Sequence, residues 1–322
     1  MLYVWRHEKR GRIAIMVVYL SEYIYPGAVE ELKKHATIVD NFDHIEELDA
    51  IILRNITVTA EMMDRAKKLK VIAKHGIGCN TIDVPAARAR DIQVIYTPTA
   101  NADSVAELIV GLLIAMQRKL YEANVNCRKG TYTAIAPNSL IGSELRGKTL
   151  GQIGMGNIAQ RIAQILKNGF GVHALGYDPF ISAEDAAKRG FEKVETLEEL
   201  VERSDMVNLN VPLVKSTENM ISGDLFNHFK PTAILINAAR GAIVNEDDLY
   251  DALLAGKLKA AACDTFAQEP PTGENKLLSL ENFSATPHIG GSTEESLVRA
   301  GTEVVEETLN VLAGKKPIHP AP

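Results

Sequence analysis

"TLGQIGMGNIAQRIAQIL", residues 149–166, is the stretch on which the fold turns. An apolar run of strand length ends in Gly154-x-Gly156-x-x-Ala159, and a segment with apolar residues at helical spacing follows. Glycines are common, so a bare match of this kind is weak. Its place between a strand and a helix is what gives it meaning. There Gly154 can make a tight turn, Gly156 lets a pyrophosphate approach the backbone, and the amides of a helix beginning near Asn157 can bind the anion. The next strand-like run ends in "GYDP", which puts Asp178 about 20 residues on, where an acid receives the ribose hydroxyls of a dinucleotide. A carboxylate there repels the extra phosphate of NADP, so NAD is the expected cofactor. The competing reading is a glycine turn in an ordinary sheet, with Asp178 capping a strand end.

The alternation extends in both directions. "KTLGQIG", "VHALGYD", "MVNLNVP", "AILINAA", "KAAACD" and "FSATPH" are six apolar runs separated by helical stretches such as "NIAQRIAQILKN", "ETLEELVERS" and "NEDDLYDALLAGK". Six strands with helical crossovers predict a doubly wound parallel sheet. Upstream, "IAIMVVYL", "TIVD", "AIILR", "KVIAKHGIG" and "IQVIYTP" alternate with "AVEELKKH" and "AEMMDRAKKL", which predicts a second one. The fold class is therefore α/β with two parallel-sheet lobes, the first strand spanning residues 13–20. "SVAELIVGLLIAMQRKL", residues 104–120, is apolar on nearly every side and predicts a buried helix, between lobes or between subunits.

Bulk properties agree with two domains: 322 residues, 46% hydrophobic and 24% charged. A net charge of −6 without a long Lys or Arg run argues against nucleic acid or an anionic membrane surface as partner. Cys79, Cys127 and Cys263 are widely spaced with no CxxC pair, so neither a disulfide framework nor a zinc site is expected, and a reducing cytoplasm fits. "RHEKRGR" before "IAIMVVYL" imitates a secretory leader, but the apolar run is eight residues long and "SEYIYPG" offers no small-residue cleavage site. The residues before the strand read as a loose extension, with Met16 an alternative start. No run approaches the 18 or so apolar residues of a membrane span.

Three further strand ends carry polar residues: "NAARG" with Arg240, "CDTFAQEP" with Asp264 and Glu269, and "ATPHIGG" with His288. Alone, His288 reads as a turn residue, Arg240 as a surface ion pair and Glu-Pro as a bend. In an open parallel sheet, however, the carboxyl ends of the strands converge on the ligand crevice. Reduction of a carbonyl by hydride needs a proton for the developing alkoxide, which a histidine can supply. Glu269 would orient the ring and favour the imidazolium. Arg240 offers a planar, bidentate partner for a substrate carboxylate. No metal is required.

"GQIGMGNIA", "YDP", "NAARG", "DTFAQEP" and "PHIGGST" together resemble the D-isomer-specific 2-hydroxyacid dehydrogenase family, over nearly the whole chain from about residue 13. The resemblance implies a Rossmann lobe over residues 104–294 and a flavodoxin-like substrate lobe made of residues 1–103 and 295–322, with a homodimer formed through the NAD lobe. It implies Arg240, Glu269 and His288 as the catalytic set. Cofactor contacts would be Gly154, Gly156, Asn157, Ile158, Asp178, Val211, Pro212, Ala238, Asp264, Gly290 and Ser104. "KHGIGCNTID" resembles the substrate loop, in which amides around Gly76, Ile77 and Gly78 bind the carboxylate, and Asn101 in "TPTANADSVAEL" would lie near the substrate. His75 is unusual there and reads either as a substrate contact or as packing. Asn210 stands where the family often has histidine.

The motifs are most similar to the 3-phosphoglycerate branch, in which Arg54 would meet the substrate phosphate. "TYTAIAPNSLIG" contains no second cation, however, so hydroxypyruvate or glyoxylate remains open. No C-terminal regulatory domain is expected after Pro322. The rival from another class is a non-catalytic NAD(H)-sensing protein, like the corepressors that share this fold; the absence of a polar tail or basic patch argues against it. Glu269 argues against the formate branch, which has glutamine there.

Overall fold

The structure, a computed structural model, describes residues 16–322. Residues 13–15 of the expected first strand therefore lie outside the described residues. The chain divides into two compact units, one reaching Asn101 and resuming at Gly291–Pro322, the other Ala102–Gly290.

In the first unit, β1 (Met16–Leu20), β2 (Ala36–Val39), β3 (Ala50–Leu53), β4 (Val71–Lys74) and β5 (Gln93–Tyr96) form a parallel sheet in the order β2-β1-β3-β4-β5, the flavodoxin-like arrangement. Helices α1 (Pro26–Lys33), α2 (Ala60–Arg65) and α3 (Val84–Arg88) connect the strands. The strands read as unbroken apolar runs because both faces are covered. Val18, Ala50, Ile52, Val71 and Ala73 pack on one side, Tyr19, Ile51, Leu53 and Ile72 on the other.

The second unit opens with α4 (Ala102–Gln117) and α5 (Leu120–Lys129). The helix expected over residues 104–120 ends early because Lys119 takes a left-handed φ of 52°. It is buried as expected, but it packs within its own unit, on α6, β10 and β11. The sheet comprises β6 (Thr149–Ile153), β7 (His173–Tyr177), β8 (Glu192–Lys193), β9 (Met206–Leu209), β10 (Ile234–Asn237), β11 (Ala260–Cys263) and β12 (Phe283–Ala285). Its order is β12-β11-β10-β9-β6-β7-β8, all parallel. That is the Rossmann order with a further strand at one edge. The sequence predicts six of these seven strands. β8 is missed because two polar residues, paired with Leu175 and Gly176, carry no apolar pattern.

Helices α6 (Asn157–Phe170), α7 (Ala183–Lys188), α8 (Leu197–Arg203) and α9 (Glu246–Leu254) link the strands. Thr196 caps α8 and Asn245 caps α9 through side-chain oxygens, each satisfying an otherwise orphan amide. Alternation along the central strands sends Met206, Ile234 and Ile236 against α4 and α6, while Val207, Leu209 and Leu235 meet α8 and α9. Each fully buried Ile or Leu contributes roughly 1.5–3 kcal/mol. A charged residue at any of these positions would destroy the unit.

The last helix, α10 (Glu294–Leu312), capped by Thr293, belongs to the first unit and packs on α1, β3, β4 and β5.

Candidate functional site

The glycine turn follows β6, where the sheet order reverses. Gly154 has φ 83° and donates its N–H to Tyr177 O at 2.8 Å. A side-chain carbon there would come within 2.7 Å of Asn210 O and 2.8 Å of Val211 Cγ1, so only glycine fits. At Gly156 the opposite holds: an added carbon would meet nothing within 4 Å. Gly156 is also the N-cap of α6 and has no side chain to bond the first amides of that helix. Those amides and the open space beside them suit an anionic ligand. Asp178 follows β7, its Oδ2 accepting the Met155 N–H at 3.2 Å and its Oδ1 that of Phe180 at 3.0 Å. The acid thus stands against the turn. A bare turn, an open helix end and an adjacent carboxylate fit a dinucleotide.

Beneath the turn lies a buried amide network. Asn210 Oδ1 accepts from Gln152 Nε2 at 2.9 Å and from Asn208 Nδ2 at 2.7 Å. Asn208 Nδ2 also bonds Gln152 Oε1 at 3.1 Å. This gives Asn210 a structural task, positioning Val211 and Pro212 after β9 beside Gly154.

At the ends of β10, β11 and β12 the chemistry gathers. Asn237 is fully buried; its Nδ2 donates to Arg240 O at 2.9 Å and its Oδ1 accepts the Ala239 N–H at 3.1 Å, a clamp around Ala238 and Arg240. Asp264, 1% exposed, accepts the Thr286 hydroxyl at 2.5 Å and the amides of Ile289 and Gly290 at 2.9 and 2.8 Å. These bonds hold the segment carrying His288.

His288 Nδ1 lies 2.8 Å from Glu269 Oε2, and Glu269 Oε1 accepts the Phe266 N–H at 3.0 Å. Burial works to raise the Glu269 carboxyl. The bond and charge of His288, the Phe266 amide and the charge of Arg240 outweigh it and hold Glu269 below the usual carboxylate range. An ionised carboxylate only accepts, so Nδ1 carries the ring proton and Nε2 is left for exchange. Arg240, Glu269, His288 and Asp264 therefore meet at the carboxyl edge of the sheet that bears the glycine turn.

Residues 110–290 match the family model described as D-isomer specific 2-hydroxyacid dehydrogenase, NAD binding domain. The chain belongs to the D-isomer specific 2-hydroxyacid dehydrogenase family. It is 41% identical over 274 residues to a D-3-phosphoglycerate dehydrogenase of Methanocaldococcus jannaschii, covering 85% of this chain and 51% of that protein. It is 42% identical over 271 residues to a hydroxypyruvate reductase of Thermotoga maritima, covering 83% of this chain and 86% of that protein. The crystal structure of a Thermus thermophilus protein superposes with a TM-score of 0.88 at 31% identity, covering 95% of this chain and all (100%) of that one. The chain spans about half the length of the phosphoglycerate dehydrogenases it matches. The glycine turn thus belongs to the family's NAD-binding domain.

The remaining candidates of this family member, Ser104 apart, lie in the first unit. Arg54 follows β3; its N–H bonds Glu22 Oε2 at 2.9 Å and its Nη1 bonds Tyr23 O at 3.2 Å. Lys74, buried at the end of β4, donates to Arg54 O. Gly76 has φ 132° and bonds the Thr97 hydroxyl at 2.8 Å, opening the loop that includes Ile77 and Gly78. His75 is 8% exposed, and its Nε2 is buried with no hydrogen-bond partner. Burial, Arg54 and Lys74 lower its pKa to about 4, so the ring is neutral. Asn101 Oδ1 is buried without a hydrogen bond, whereas Ser104 is buried in the first turn of α4, in the second unit. Sequence reasoning missed Asn237 and Thr286. Both lie within or beside quoted motifs, but their clamping bonds depend on strand register.

Proposed function

We propose that the chain is an NAD-dependent D-2-hydroxyacid dehydrogenase that interconverts a small 2-hydroxy acid and its 2-oxo acid at C2. The observation carrying this reading is the His288–Glu269 pair beside Arg240, on the sheet edge that also bears the glycine turn. The bound nicotinamide supplies or accepts the hydride. His288 Nε2 gives a proton to the developing alkoxide, or takes it in oxidation. Glu269 orients the ring and stabilises the imidazolium; Arg240 binds the substrate carboxylate as a planar fork. The glycine turn with Asn157 and Ile158 holds the pyrophosphate, Asp178 the ribose, with preference for NAD over NADP. Val211, Pro212, Ala238, Asp264, Gly290 and Ser104 are proposed as further cofactor contacts. Arg54, Gly76, Ile77, Gly78 and Asn101 are proposed to contact substrate. Ala102–Gly290 would be the dinucleotide-binding domain and the other unit the substrate domain.

An unphosphorylated acid of the hydroxypyruvate or glyoxylate class is the preferred substrate, because neutral His75 adds no charge to Arg54. The second reading, a phosphorylated acid, is favoured by Arg54 itself and by the bond from Lys74 to its carbonyl. A homodimer through the second unit is supported by α5, which buries no residue and exposes Leu120, Tyr121 and Val125, and by the following segment, which exposes Ile135 and Ile141. No disulfide joins the described cysteines, which favours a cytoplasmic setting. No helix among the described residues is long and apolar enough to cross a membrane.

The test is NADH oxidation with hydroxypyruvate, glyoxylate, pyruvate and phosphohydroxypyruvate, compared side by side. Turnover of any supports the enzyme, and the best substrate separates the two readings. Dinucleotide binding with no turnover of any would favour an NAD(H)-sensing protein instead.

A further inference from the structure

Glu303 and Glu307 stand one turn apart on α10, on the same face, and the tail that follows the helix brings His319 to them. Glu307 has a side chain only 5% exposed. Its Oε1 accepts the amides of Ile318 and His319, both at 2.7 Å, while its Oε2 turns to His319 Nδ1 at 3.4 Å. Glu303 Oε1 lies 3.2 Å from the same nitrogen. Neither approach has hydrogen-bond geometry, and Glu303 Oε1 and His319 Nδ1 are both buried without a hydrogen-bond partner. Facing polar atoms left in this state are costly unless something lies between them.

We propose that Glu303, Glu307 and His319 form a binding site for a divalent transition-metal cation of the zinc type, which staples the C-terminal tail to α10. Ligand bonds of about 2.0–2.2 Å in tetrahedral arrangement separate neighbouring donor atoms by roughly 3.3 Å. The observed 3.2 and 3.4 Å match that spacing, and the three donors all lie within 4.8 Å of one another. One imidazole with two carboxylates suits zinc and its neighbours better than magnesium, which prefers an all-oxygen shell. Two carboxylates face one imidazole, so the cluster lacks compensating positive charge. A dication supplies it, leaving a fourth position to water.

The staple has a mechanical effect. The tail runs along the open edge of β5: Tyr96 N–H donates to His319 O at 3.2 Å, Ala321 N–H to Val94 O at 2.8 Å, and Arg88 Nη2 to Ala321 O at 2.9 Å. Holding His319 on α10 keeps that edge covered.

The test uses the full, untagged protein, stripped with a chelator, dialysed against Zn²⁺ at neutral pH, assayed for bound metal and followed by calorimetry. The expected result is one firmly held zinc per chain and a Tm raised by about 5–10 °C at a hundredfold excess over Kd. Co²⁺ in its place should show the intense visible bands of a four-coordinate ion. Glu303→Gln and His319→Gln should each weaken binding about tenfold or more and abolish the Tm response. Glu307 is spared because it also holds two backbone amides. Zinc binding no tighter than in Glu303→Gln, or a Tm indifferent to zinc, would overturn the proposal in favour of an imidazolium resting between two carboxylates. These readouts do not depend on turnover, so they stand or fall apart from the dehydrogenase reading.

Discussion

Asp264 holds His288 by the backbone: its carbonyl oxygen accepts the His288 N–H at 2.8 Å, while its carboxylate takes the amides of the next two residues. The grip keeps His288 at a left-handed φ of 54°, a conformation that costs a non-glycine residue on the order of 1 kcal/mol or more. Strain held this firmly serves to aim the ring. With Nδ1 against Glu269, Nε2 is the nitrogen that the proposed proton exchange would use.

His288→Gln keeps the size of the side chain and removes the acid. Turnover should fall about 10²–10⁴-fold with Tm little changed. Steady-state rates beside a melting curve check this, and wild-type turnover would remove His288 from the mechanism.

Arg240→Lys keeps the charge and loses the planar fork. KM for the 2-oxo acid should rise roughly 10–100-fold, with a smaller loss in kcat. Unaltered KM and kcat would mean that the guanidinium does not bind the carboxylate.

Asp178→Ala removes the charge proposed to face the ribose and the acceptor for the Met155 amide. The ratio of kcat/KM with NADPH to that with NADH should rise about tenfold or more. A constant ratio would show that Asp178 does not read the ribose.

The two glycines of the turn should respond differently. Gly154→Ala adds a carbon within 2.7 Å of Asn210 O at φ 83°, so Tm should drop by several degrees. Gly156→Ala meets nothing within 4 Å and has φ −73°, so Tm should hold while NADH affinity falls. Titration calorimetry with NADH decides it; equal affinity would show that the open space at Gly156 is not where the pyrophosphate lies.

His75 makes stability depend on pH. Its folded pKa of about 4 lies below the ordinary 6.5, so the unfolded chain binds the extra proton first. Stability is whole above pH 6.5 and is lost as pH falls towards 4, by roughly 2 kcal/mol between pH 7 and pH 5. Denaturant unfolding across that range should show the slope in the wild type and not in His75→Gln. The same slope in both would place the titration elsewhere.

The central strands were legible because each is apolar on both faces, a pattern only a covered parallel sheet explains. The glycine turn was legible because strand, turn and helix stand in one continuous stretch. Other features had no such local mark. β8 is two polar residues, and α5 buries nothing, so neither carries a period. The Gln152–Asn208–Asn210 network and the Asn237 clamp exist only once β6, β9 and β10 are side by side. Asn210, an oddity in the sequence, is explained by a bond that joins two strands. His319 meets Glu303 and Glu307 through the turn after α10, which no residue spacing announces.

The lodging of α10 on α1, β3, β4 and β5 bears on how the protein is born. The ribosome delivers the whole of Ala102–Gly290 before it delivers the helix that roofs the earlier sheet. Through that interval Ile52, Val71 and Ala73 lack the part of their cover that α10 provides, and this greasy face is what a chaperone would meet on the nascent chain. The unit that emerges first is the last to mature.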